Sequence, residues 1–109
     1  MMREFLLTYT VKSQKETESC KKLADDVRKE IAKIDALKQI NHLETTRWGW
    51  FEGAYSDKHV RQKKAEEYIT AMFEQILKAH RANGDLVQIH CAMMLEDSGG
   101  EFRFDVYYW

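Results

Sequence analysis

Proline is absent from this chain, glycine occurs only five times and cysteine only twice. Without proline, and with glycine this sparse, no stretch reads as a linker, a repeat or a low-complexity segment. The chain is therefore expected to form a single domain over residues 1–109. Cys20 and Cys91 stand far apart, with no CxxC and no cysteine–histidine spacing, so a zinc site has no basis in the sequence. Both fall on apolar faces and are expected as reduced core thiols of a cytoplasmic protein. No apolar run approaches the ~20 residues of a membrane span. Arg3 and Glu4 are followed only by Phe5-Leu6-Leu7 before Thr8, too short for the apolar region of a secretory leader. Excess charge of one sign is missing as well, with 17 basic against 18 acidic residues and a net charge of −1. Attraction to polyanions cannot then be a property of the whole surface, only of a patch.

What is present is the balance of a folded globular domain, 44% apolar and 32% charged over 109 residues. The clearest pattern lies between Asp85 and Trp109. Val87, Ile89, Cys91, Met93 and Leu95 alternate with other residues, and so do Phe102, Phe104, Val106 and Tyr108. Asp97-Ser98-Gly99-Gly100 separates the two runs and supplies the backbone freedom a hairpin turn needs. A turn at Ser98-Gly99 sets Met94 against Arg103 and His90 against Tyr107. A turn at Gly99-Gly100 sets Glu96 against Arg103 and His90 against Trp109, and its ion pair favours it slightly. Either way the alternating apolar set shares one face.

Upstream, Phe5, Leu7, Tyr9 and Val11 alternate in a first strand over Glu4 to Lys12. A helix is expected from about Gln14, with Ser13 and Glu16 as a capping box. Its apolar stripe is Cys20, Leu23, Ala24, Val27, Ile31 and Ile34, and its end falls somewhere between Asp35 and Asn41. A second strand lies within His42 to Phe51, where neither parity is cleanly apolar. A bulge near Arg47 or Gly49 would bring Leu43, Trp48 and Trp50 to one side. Glu52-Gly53-Ala54-Tyr55 reads as a loop, and a long helix follows from Asp57 to Ala82 with Ser56 as its cap. Its stripe runs from Val60 through Ala65, Tyr68, Ile69, Met72, Phe73, Ile76 and Leu77 to His80. Asn83-Gly84 is the expected stop. The first two turns are almost wholly polar and are expected to project past the core.

The expected fold is a two-layer α/β sandwich of the α+β kind, in the order β-α-β-α-β-β. It has a four-stranded mixed sheet with both helices on one face. This element order resembles the small two-layer domains typified by the C-terminal domain of bacterial translation initiation factor three. The resemblance is one of topology, and it implies no functional residue.

Two constellations bear on function. One sheet face would carry His90, Met94, Arg103, Tyr107 and Trp109 away from the helices. An exposed apolar patch of that kind usually marks a contact surface. It is expected to bind a protein partner or a second copy of the chain, while simple packing of Tyr107 and Trp109 at the sheet edge is the plainer account. The other constellation is Ser56, Lys58, His59, Arg61, Lys63 and Lys64 at the start of the second helix. With Gly53 and the free amides of the first turn it forms an expected anion site, for RNA or another polyanion. Against it stands the ordinary reading, a solvated helix end partly neutralised by Asp57, Glu66 and Glu67. A general base at His90 oriented by Asp105 is a third reading, with no nucleophile or phosphate loop to accompany it. The leading expectation is a small, non-enzymatic interaction protein with no cofactor, no metal and no membrane association.

Overall fold

The computed structural model describes residues 2–53 and 55–109, and of Glu44 only the backbone. Ala54, expected in the loop after the second strand, and the side chain of Glu44 lie outside the described residues.

The elements are β1 (Met2–Ser13), α1 (Glu18–Ile31), β2 (Lys38–Ile40), β3 (Leu43–Glu52), α2 (Lys58–Ala79), β4 (Val87–Leu95) and β5 (Phe102–Val106). They build one sheet in the order β2-β3-β1-β4-β5, with every pairing antiparallel. The α+β class holds, but the four-stranded mixed sheet does not. The cause is β2, three residues hidden where the end of the first helix was undefined. The crossover through α1 returns the chain into β2, and a tight turn with His42 at φ 67 then reverses it into β3. It is β3, running backwards, that lies beside β1. The first six elements follow the split β-α-β, ferredoxin-like pattern, and β5 extends it beyond β4. The order therefore departs from the initiation-factor topology.

Sheet pairing overrides the first expected cap. Ser13 pairs with Val87 and the Gln14 amide donates to the Leu86 carbonyl, so this stretch stays extended. The helix begins later, where Thr17 accepts from the Cys20 amide. Asp57 rather than Ser56 caps α2, accepting from His59 and Val60. Its far end closes at His80, before Asn83-Gly84. Arg81 takes the left-handed position at φ 55, the Ala82 amide reaches back to the Leu77 carbonyl, and the Arg81 amide reaches the Lys78 carbonyl. That is the Schellman closure with an arginine in the place glycine usually holds.

One core collects Phe5, Leu7, Tyr9 and Val11 from β1 and the matching parity of β4 and β5. α1 adds Ala24, Val27 and Ile31 in a straight stripe, and the two helices touch. α2 behaves differently. Its buried residues are Arg61, Ala65, Ile69, Phe73 and Leu77, one every fourth position. At about 100° per residue each step advances the stripe by about 40°, so it winds around the helix instead of running along it. Val60 is consequently exposed and Arg61 inside. The polar first turns thus dock on the hairpin loop instead of projecting.

In β3 the pairing with β1 runs without interruption from Glu52 to Thr46, so the expected bulge is not there. The register shift sits instead between Gln39 and Ile40 of β2. Arg47, Gly49 and Phe51 take the core parity, whereas Trp48 and Trp50 take the other and Leu43 is exposed. The hairpin register differs from both expected ones. Met93 faces Phe102, Ala92 faces Arg103 and His90 faces Asp105, across a longer loop. Ser98, 1% exposed, is drawn inward there, and the chain turns through Asp97 (φ 56) and Gly99 (φ 86).

Candidate functional site

The strand residues of the parity opposite the core form cross-sheet rows. Trp50 pairs with Glu4; Trp48, Leu6 and Met94 make the next row. Thr46, Thr8, Ala92 and Arg103 follow, then Thr10, His90 and Asp105. The first two rows are an apolar ledge, with Trp50 47% and Met94 52% exposed and Leu6 also open to solvent. Trp48 and Trp50 lie edge to face, 4.8 Å between ring centres, so each fixes the other's orientation. The last two rows are polar.

Of the expected contact residues, Met94 belongs to the ledge, and His90 and Arg103 belong to the polar rows. Tyr107 and Trp109 sit past the end of β5, edge to face with each other at 5.4 Å, with Trp109 74% exposed. A side-chain carbon placed on Gly84 would come within 3.0 Å of the Trp109 ring, which locates it over the α2–β4 connection. The residues sequence reasoning missed are Leu6, Trp48 and Trp50. Leu6 was visible as the off-parity leucine of β1. The tryptophans were obscured because Arg47 and Gly49 occupy core positions of their strand.

His90 and Asp105 are directly opposed, with Nδ1 to Oδ1 at 2.7 Å. Both are open to water, where such a pair contributes little to stability. The depression beside them, about 210 Å³ and lined by Thr8, Thr10 and Arg103, is shallow for a substrate site. Among the described residues no three histidine, cysteine, aspartate or glutamate side chains converge to hold a metal ion. Among the described residues, no helix is long and apolar enough to cross a membrane.

At the start of α2 the six expected anion-site residues do not act as a set. Arg61 is 8% exposed. Its Nε donates to the Ser98 hydroxyl at 2.8 Å, Nη1 to the Tyr55 and Ser56 carbonyls at 2.8 and 2.9 Å, and Nη2 to the Asp97 carbonyl at 2.6 Å. Ser56 therefore serves through its carbonyl, and Lys64 pairs with Glu67 at 3.5 Å. Lys58, His59 and Lys63 stay exposed. The Asp57 carboxylate already fills the helix terminus. Hydrogen bonds from the His59 and Val60 amides, helped by the charges of His59 and Arg61, hold it below the ordinary carboxylate range.

Both thiols are free and buried. Cys20 donates to the Leu86 carbonyl. Burial first, and the charges of Asp105 and Glu66 second, push the Cys91 thiol from 9.0 up to about 12. Because the folded value lies above the unfolded one, the neutral thiol's contribution is complete below pH 9.0 and is lost as pH rises toward about 12. Unfolding free energies from urea titrations at rising alkaline pH should therefore fall more steeply for the native chain than for Cys91→Ala, by roughly 1 kcal/mol per pH unit.

Compared with known families, with curated proteins and with solved structures, the chain matches none.

Proposed function

We propose that this chain is a small, non-enzymatic interaction protein that pairs with a second copy of itself through the sheet face bearing Leu6, Trp48, Trp50 and Met94, the two helices covering the opposite face. The single observation behind this reading is the apolar ledge, whose two indoles and two aliphatic side chains otherwise stay in contact with water. Two features favour a second copy over a dissimilar partner. The ledge is flanked by both signs of charge, Glu4 at one end and Arg103 with Asp105 toward the other, which suits the reciprocal contacts of a two-fold interface. A net charge of −1 also leaves the copies almost without mutual repulsion.

Sedimentation equilibrium at high micromolar concentration is expected to show a dimer. Trp50→Ala should weaken it by about 2 kcal/mol, some thirtyfold, since truncated interface tryptophans commonly cost that much. The monomer's thermal midpoint should hardly move, because the residue is half exposed. A strict monomer, or a dimer indifferent to Trp50→Ala, overturns the reading. The polyanion alternative loses Arg61 to carbonyls and part of Lys64 to Glu67. RNA affinity that fell steeply with salt would count for it and against self-association as the main role.

A further inference from the structure

We propose that the pocket between α1 and the sheet, lined by Arg28, Lys29 and Arg47, binds a compact oxyanion, the carboxylate or phosphate group of a small ligand. Two arginines of this chain are buried, and they are treated in opposite ways. Arg61 is surrounded by oxygen acceptors. Arg47 is also buried, at 5% exposed, yet its Nε meets no acceptor and no other part of its guanidinium has a hydrogen-bond or ion-pair partner among the described residues. A buried donor left without an acceptor is destabilising, so native proteins usually supply it with a water, an ion or a ligand.

Arg47 faces a pocket of about 300 Å³, into which Arg28 and Lys29 also border from the last turn of α1. At about 30 Å³ each, several waters fit this space, but they bring no charge to offset the cations. Arg28 is held in place by the Val11 carbonyl at 2.7 Å and is paired with Asp25. Lys29 and Arg47 thus supply the uncompensated charge. The negative end of the α1 dipole removes about half a unit of it, which leaves the pocket cationic. Tyr9, Gln39 and Thr45 add neutral groups able to hydrogen-bond, and no carboxylate lines the space among the described residues. A planar guanidinium suits a carboxylate or phosphate, which accept two parallel hydrogen bonds. The volume, at the low end for ligand pockets, admits a small molecule rather than a chain of nucleotides.

Inorganic phosphate and succinate should be titrated separately, at constant ionic strength, into the full isotope-labelled chain. The Arg47 Nε–H signal and the amides of Gln39, Thr45 and Arg47 report occupancy. A saturable shift with a Kd of about 1 mM or tighter is expected for at least one of them, with a matching rise in thermal midpoint. Which probe saturates assigns the ligand's anionic group. Arg47→Lys should abolish the bidentate contact and the shift. Lys29→Ala, at an exposed position that leaves folding intact, should weaken binding at least about threefold. Failure of both anions to saturate, or affinity untouched in Lys29→Ala, overturns the assignment.

Discussion

Arg61→Ala is expected to cost about 3 kcal/mol of folding stability, because one guanidinium serves four acceptors. Removing it leaves the carbonyls of Tyr55, Ser56 and Asp97 and the buried Ser98 hydroxyl without that donor. Water entering the gap recovers part of the loss, which is why the figure stays below the sum of four charged hydrogen bonds. Arg61→Lys should recover less than half, since an ammonium cannot span acceptors laid out for a planar fork. Urea unfolding measures the energy, and hydrogen exchange at Asp97 to Gly99 should accelerate in parallel. A loss under about 1 kcal/mol would show that the loop is held by Arg3 and Gln62 instead, through their bonds to Asp97 and Ser98.

Gly49→Ala should destabilise by a comparable amount, about 2–3 kcal/mol. A Cβ at this position would lie 2.6 Å from the Ala36 carbonyl oxygen and 2.8 Å from the ring of Phe5. Neither can yield cheaply, since the first is backbone and the second is a buried core ring. The connection from α1 to β2 would have to lift away from β3, taking Leu37 out of the core. Chemical denaturation of the two proteins gives the difference directly. A variant as stable as the parent would mean that this connection is not pressed against the sheet.

Much of the architecture was legible because β1, β4 and β5 alternate cleanly and α1 carries its apolar residues at spacings of three and four. Those signals come from burial on one side, and burial is what the structure has there. The rest failed for specific reasons. Three residues of β2 are too few to show a period, and missing them turned β3 in the wrong direction. Ser13 had the chemistry of a cap but was claimed by the ladder with Val87, leaving Thr17 to do the capping. The hairpin register was shifted by Ser98, pulled inward by an arginine nearly forty positions away, which no local pattern records.

The candidate surfaces were harder to read for a related reason. Arg47 and Gly49 occupy core-facing places where apolar side chains are the rule, so their strand looked as though it had no inside. At Gly49 the backbone of another segment passes close, and Arg47 lines the pocket beside α1. Arg61, likewise, was counted as part of a solvated basic run. Residue type alone assigns arginine to the surface; only the positions of carbonyls around it say otherwise.

The central place of β1 also governs the order in which this molecule can assemble. Its two neighbours are β3 and β4, and the Glu4 amide is joined to a carboxylate 92 residues further on. Everything through β4 must leave the ribosome before that strand acquires its second partner. Loop closure over such separations is slow, so an unpaired β1 edge is exposed until β4 has emerged, and the helices, built from local contacts, have time to form first.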